Sequence, residues 1–176
     1  DGDAITYRTL PGVHPKGAYF TRGSGHNAKG GYTEDSDEYR EVMERLKRKF
    51  ATAAEYVPKP VTISNGRSDL AILSIGSCDG AVREALHILG GQGVGLDYMR
   101  VRAFPFCAEV QEFLDTHDRI FVVEQNRDAQ LRALLINEAR VDPEKLVPLL
   151  HYDGLPMGSD CIVTAISEDV AKGAAA

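Results

Sequence analysis

Tryptophan is absent from these 176 residues, and cysteine occurs only three times, at Cys78, Cys107 and Cys161. With no CxxC pair and an odd total, the cysteines form neither a ligand cassette nor a disulfide framework. An iron–sulfur cluster held by this chain alone would need about four suitably spaced thiolates, so any cluster is expected elsewhere. The histidines, His14, His26, His87, His117 and His151, are scattered, and HxH, HExxH and GxSxG are all missing. No metal ligand and no catalytic residue is therefore assigned. No apolar run approaches the roughly 20 residues of a membrane span, and no signal-peptide pattern opens the chain. A cytoplasmic protein without membrane contact is expected. Positive charge is in deficit, with 20 Lys and Arg against 26 Asp and Glu and a pI near 5.4, which argues against nucleic acid as a partner. The start at Asp1, without methionine and amid turn formers, reads as a fragment or a processed chain.

What is present suits a globular protein: 43% hydrophobic and 26% charged residues, in a length that holds one ordinary domain and an extension. Residues 1–35 are rich in glycine and proline and carry little periodic apolar pattern, so they read as loop. From Ser36, Tyr39, Val42, Met43, Leu46, Phe50 and Ala53 recur at helical spacing while charged residues take the other face. Asp35 with Glu38 is the start signal, and Glu41–Arg45 and Glu44–Arg48 are candidate i,i+4 pairs. Pro58 and Pro60 close the helix. The division expected is a basic glycine-rich loop plus amphipathic helix over 1–57, a linker over 58–69, a compact domain over 70–172 and a tail over 173–176.

Within the compact domain, short apolar runs alternate with helical patterns. Strands are expected at Leu70–Ile75, Asp97–Val101, Ile120–Val123 and Leu146–Leu150, with a fifth to be found. Helices are expected from about Asp79 to Gly90–Gly91, near Cys107–Thr116, over Asp128–Glu138 and after Ser159 or Asp160. Such alternation implies crossover connections, hence an α/β fold of three α/β/α layers around a mostly parallel sheet of four or five strands.

Three features carry candidate chemistry. Gly76-Ser77-Cys78-Asp79-Gly80 follows a strand and opens a helix, where backbone amides can hold an anion; the plainer reading makes Ser77 or Asp79 a helix cap. No acidic residue occurs between Asp3 and Glu34, whereas Arg8, Lys16, Arg22 and Lys29 do. Arg22, His26, Lys29 and Ser77 are thus the anion-facing candidates, against a reading of the loop as a solvated connector. Glu124-Gln125-Asn126-Arg127-Asp128 ends an apolar strand where open α/β sheets place their contacts. One reading takes Asn126 or Asp128 as a cap; the other is an inter-subunit polar network on Glu124, Asn126, Arg127 and Gln130.

Taken together, Gly17–His26, Thr33-Glu34-Asp35 with the charged helix after it, Gly80–Ala85, Met99–Phe106 and Val122–Leu131 resemble the alpha subunit of the 2-oxoacid:ferredoxin oxidoreductases, of the 2-oxoglutarate type. The compact domain is similar to the C-terminal domain of transketolase, and Arg102, inside one of the matching blocks, joins the interface candidates. The resemblance implies oxidative decarboxylation of a 2-oxoacid on thiamin diphosphate with Mg, coenzyme A as acyl acceptor, ferredoxin as electron acceptor, and an iron–sulfur cluster in the beta subunit. It implies an oligomeric assembly in which this piece binds no cofactor of its own and is inactive alone. The alternative from another class is an independent α/β module binding a phosphate or nucleotide at Gly76–Gly80. Replacing Arg22 and Lys29 by neutral residues in the intact enzyme is expected to raise KM for an anionic substrate in steady-state assays; a change confined to stability would make the loop a connector.

Overall fold

The structure, a computed structural model, describes residues 2–17, 23–65 and 69–174. It divides into two compact units, Asp1–Tyr56 and Val57–Ala176.

The first unit is built on helix α1, Ser36–Tyr56. Its start is set by Asp35, whose Oδ1 accepts from the amides of Asp37 at 3.0 Å and Glu38 at 2.9 Å, satisfying donors that a first turn leaves without helical partners. It stops before Pro58 and Pro60, which lack the N–H a helix interior needs. Val42 and Ala4 are the buried apolar residues of this unit among those described. The expected Glu41–Arg45 pair does not form, because Arg45 Nη1 turns to the Ala4 carbonyl at 3.2 Å. The ion pair on the helix is instead Arg40–Asp37.

The second unit is a five-stranded sheet between helices. Its strands are β1, Val61–Ile63; β2, Leu70–Ile75; β3, Asp97–Val101; β4, Arg119–Glu124; and β5, Leu146–Leu150. Its helices are α2, Asp79–Gly91; α3, Ala108–Thr116; α4, Gln130–Ala139; and α5, Ser159–Ala174. The sheet order is β1-β3-β2-β4-β5, with β3, β2, β4 and β5 parallel and β1 antiparallel to β3. This is the expected α/β class. The fifth strand lies inside the stretch read as linker 58–69: Val61-Thr62-Ile63 is β-branched throughout and pairs Val61 with Arg100 and Ile63 with Tyr98. An edge strand of three residues needs one neighbour only, so prolines just before it do no harm. Pro148 in β5 is tolerated for the same reason, since β5 is the opposite edge.

Alternation along the central strands builds two cores. Ala71, Leu73, Ile120 and Val122 face α3 and α4, packing with Phe113, Leu114, Leu131 and Leu135. Ile72, Tyr98, Phe121 and Val123 face α2 and α5, packing with Val82, Leu89, Ile162 and Ile166. Strands buried on both faces read as unbroken apolar runs, which is why Leu70–Ile75 and Ile120–Val123 stand out in the sequence.

Helix α2 ends at Gly91, as the Gly90–Gly91 pair leads one to expect. The terminator is Gly93, at φ +82°: Gly93 N donates to Gly90 O at 3.1 Å and Val94 N to Leu89 O at 2.9 Å, the paired bonds of a Schellman stop, whose positive φ favours glycine. Helix α4 begins at Gln130 instead of Asp128 because Ala129 takes the left-handed conformation, φ 50°. Phe121 is 1% exposed in the middle of the sheet. Phe121→Ala is expected to cost about 3–5 kcal/mol in urea unfolding; a loss within about 0.5 kcal/mol, ordinary for a surface change, would mean that the second core is not formed as described.

Candidate functional site

Chain connection from β2 leads to β3 on one side, and β4 then lies on the other side of β2. The direction of winding therefore reverses between β2 and β4, and the crevice outside their carboxyl ends is where open α/β sheets take their ligands. The walls are Gly76–Gly80 after β2 and Glu124–Asp128 after β4, the two polar segments singled out from sequence.

The chain's own side chains bridge this crevice. Gly76, at φ +70°, turns the backbone so that Ser77 Oγ donates to Gln125 Oε1 at 2.6 Å. Neither Ser77 nor Asp79 caps α2; the cap position falls on Cys78, with no side-chain bond. Asp79 accepts instead from Arg83 Nε at 3.0 Å and from the Tyr98 hydroxyl at 2.9 Å, with Arg100 Nη1 at 3.6 Å. Tyr98 OH also lies 2.7 Å from Ser74 Oγ, which joins two buried hydroxyls to the carboxylate. The Arg83 hydrogen bond, followed by that of Tyr98, holds the Asp79 carboxyl below the usual range despite partial burial; burial pushes the Tyr98 phenol well up. Asp79 is thus paired with two arginines beside the turn considered as an anion cradle, and Arg100 Nη2 also donates to the Gly76 carbonyl of that turn at 3.1 Å. Cys78 is 2% exposed, and its thiol is pushed up chiefly by burial and also by nearby Glu124, which keeps it unreactive.

The second wall is organised by Glu124, 1% exposed. Oε2 accepts from Leu131 N and from Asn126 Nδ2, both at 2.7 Å, and Oε1 accepts from Arg132 N at 3.0 Å. Ala129, at the cap position of α4, has no side-chain oxygen to offer. A carboxylate from the strand end performs the capping, with its charge at the positive end of the helix dipole. Asn126 Oδ1 accepts from Asp128 N at 3.1 Å and Gln130 N at 3.2 Å, so Asn126 shares the capping as one reading of the sequence had it.

The five interface candidates therefore part company. Glu124 and Asn126 are committed within the domain. Arg127 is exposed and paired with its neighbour Asp128 at 2.8 Å. Gln130 and Arg102 also face outward, Arg102 donating to the Lys59 carbonyl at 3.4 Å. Of the anion-facing candidates, Arg22 lies outside the described residues. His26 and Lys29 sit in one exposed turn, where Asn27 Oδ1 accepts from Lys29 N at 3.1 Å and Gly31 N at 3.0 Å and Asn27 O lies 2.9 Å from His26 Nδ1.

A second polar group had no signal in the sequence. His117, 5% exposed, places Nδ1 2.7 Å from Phe113 O and Nε2 3.3 Å from Asp97 Oδ2. Asp97 Oδ1 accepts from Asn65 N at 2.8 Å and Ser64 Oγ at 3.2 Å, which ties β1 to β3. The pair lines a groove of about 350 Å³ with Thr62, Met99 and Glu112. Twenty residues separate His117 from Asp97, and only the antiparallel return of α3 along β3, which brings the end of the helix to the start of the strand, joins them.

These features define a doubly wound α/β domain whose ligand crevice is spanned by its own hydrogen bonds. Its homologues are alpha subunits of 2-oxoacid:ferredoxin oxidoreductases. Subunit alpha of 2-oxoacid:ferredoxin oxidoreductase 2 from Aeropyrum pernix is 29% identical over 149 residues, covering 81% of this chain and 23% of its own length. The alpha subunit from Saccharolobus solfataricus is 27% identical over 156 residues, covering 86% of this chain and 24% of its own. The chain thus spans about a quarter of the length of these relatives. No family model matches it. In fold it is similar to 2-oxoglutarate:ferredoxin oxidoreductase from Magnetococcus marinus, solved with 2-oxoglutarate, coenzyme A and succinyl-CoA bound, with a TM-score of 0.80, 23% identity and coverage of 97% of this chain and 30% of that one.

The Asp79 cluster predicts an acid limb of stability. Its folded pKa lies below its ordinary value of 3.8, so its contribution is complete above that value and is lost as pH falls through the lower folded one. Asp79→Asn is expected to flatten the fall in unfolding free energy between about pH 4 and pH 2; an unchanged slope in urea titrations over that range would refute the assignment.

Proposed function

We propose that this chain is the C-terminal assembly portion of the alpha subunit of a 2-oxoacid:ferredoxin oxidoreductase acting on 2-oxoglutarate. The supporting observation is its alignment with two such alpha subunits over 81% and 86% of its residues. In this reading the enzyme decarboxylates its substrate oxidatively on thiamin diphosphate, coenzyme A takes the acyl group, and ferredoxin takes the electrons through an iron–sulfur cluster in the beta subunit. Residues 1–56 serve as the connector from a thiamin-binding domain, and the unit from Val57 onward, which includes β1, as the transketolase C-terminal-like domain. In this reading the cofactors are held by other parts of the enzyme, while at the β2–β4 crevice Ser77 and Asp79 are engaged by Gln125, Arg83 and Tyr98. This domain supplies a rigid surface with Arg102, Arg127 and Gln130 facing outward. The independent nucleotide-binding reading is disfavoured by the alignment with much longer alpha subunits.

Activity of the full alpha–beta complex against a panel of 2-oxoacids, with ferredoxin as acceptor, tests the substrate; turnover is expected with 2-oxoglutarate, and its absence would refute that choice. Arg127→Ala in the same complex is expected to shift the assembly toward free subunits on size-exclusion chromatography, with turnover per intact complex retained. Unchanged assembly would remove Arg127 from the interface.

A further inference from the structure

His117 closes α3, and its buried ring sits where two acceptors converge. Nδ1 lies 2.7 Å from the Phe113 carbonyl, one of the last-turn carbonyls that a helix leaves without an N–H partner. A carbonyl can only accept, so Nδ1 carries a proton and donates it. Thr116 Oγ1, 3.3 Å from the same nitrogen, is turned to the Glu112 carbonyl at 2.9 Å. On the other side of the ring Nε2 lies 3.3 Å from Asp97 Oδ2, and an ionised carboxylate also only accepts. A neutral ring protonated at Nδ1 would set a lone pair against that oxygen, a costly contact between buried polar atoms. One more proton, between Nε2 and Oδ2, converts the contact into a charge-assisted hydrogen bond.

The charges around the ring favour that proton. From α3, Glu109 and Glu112 line the same groove, and the carboxyl end of the helix adds its negative dipole. From β3 the facing charge is Asp97, and β1, Val61–Ile63, carries none. At the starts of β2 and β4, Asp69 and Asp118 are exposed and of the same sign, as is Asp115 near the end of α3. The cations nearby are engaged: Lys59 with Glu109 at 3.0 Å, Lys145 with the Leu114 carbonyl at 2.9 Å, and Arg119 with Asp169 at 2.6 Å. The other oxygen of Asp97 accepts from Asn65 N at 2.8 Å and Ser64 Oγ at 3.2 Å, so the pair is joined to the end of a three-residue edge strand. We propose that His117 and Asp97 form a proton-dependent clasp. With one proton between them they hold β1 and the Ser64–Asn65 segment on the edge of β3, and loss of that proton releases the strand. The two groups titrate as a unit. Opening leaves a neutral histidine and a carboxylate, one proton fewer than the closed pair, so opening becomes easier as pH rises, by at most about tenfold per pH unit. This inference goes beyond the oxidoreductase reading and does not rest on it.

The test is hydrogen exchange of the intact protein, read by mass spectrometry between about pH 5 and pH 8, the range in which histidine changes charge. Each rate is divided by that of an unfolded peptide at the same pH. The expected result is that protection of a peptide spanning 61–65 falls with rising pH, by up to about tenfold per unit, while 120–123 in the centre of the sheet stays protected. Asp97→Asn keeps an acceptor for Asn65 N and offers Nε2 an amide N–H that needs no added proton. It should therefore retain the protection of 61–65 and lose the pH dependence. His117→Gln, whose amide does not titrate, should lose the dependence as well, and it decides the matter if Asp97→Asn does not fold. The proposal is overturned if protection of 61–65 is flat across the range in the unaltered protein, or if the slope persists in a folded variant. It is equally overturned if 120–123 loses protection in parallel, because the whole sheet is then opening.

Discussion

Burial of both faces of β2 and β4 is the constraint from which the second unit follows. Each strand alternates between two cores, Leu73 and Val122 toward α3 and α4, Ile72 and Phe121 toward α2 and α5. A sheet wetted on either side would strand these side chains in water, at about 25 cal/mol for each Å² of apolar surface. Helices must therefore cover both faces, and crossover connections between parallel strands place them there. Polar residues are driven to the strand ends, where backbone and side chains can still find partners.

At those ends the cost of burying polar groups decides the geometry. Glu124 is as buried as the leucines beneath it, and an unpaired carboxylate there would cost several kcal/mol. Three N–H donors, two of them the orphan amides of α4, offset that cost. The same logic joins Ser74, Tyr98 and Asp79 into one chain of hydrogen bonds ending on Arg83. Both networks consume groups that a ligand-binding crevice would need free, and the Ser77–Gln125 bond spans what is left. The place where this fold usually binds a small molecule is here a structural joint, in keeping with a domain proposed to organise an enzyme whose chemistry lies in other domains.

Much of this architecture was legible beforehand because it depends on period and composition. The strands at Leu70, Asp97 and Leu146 and the helix from Ser36 follow from apolar spacing, and Asp35 behaves as its residue type and position require. The misreadings have physical reasons. Val61–Ile63 has too few residues for an alternation pattern and sits behind prolines, so it passed for linker. The end of α2 at Gly91 is legible from its glycines, but which glycine takes the positive φ that completes the stop, Gly93, is not, since no composition rule separates three glycines in four positions. The segment Glu124–Asp128 was recognised as purposeful, but its buried members could not be told from its exposed ones.

The sequence by itself determined the alternation of strands and helices, the two-sided burial of the central strands, the want of a cysteine or histidine cassette, and the resemblance to the oxidoreductase alpha subunits, since each depends on residues near one another in the chain or on their order. Only the tertiary structure decided which side chains meet. It brought His117 to Asp97 across twenty residues, turned Glu124 inward to cap α4, and set Asp79 against Arg83 and Arg100 beside the β2–β4 crevice. The reason is that hydrogen bonds and burial depend on distance in space, which strand order and helix packing set and local pattern does not.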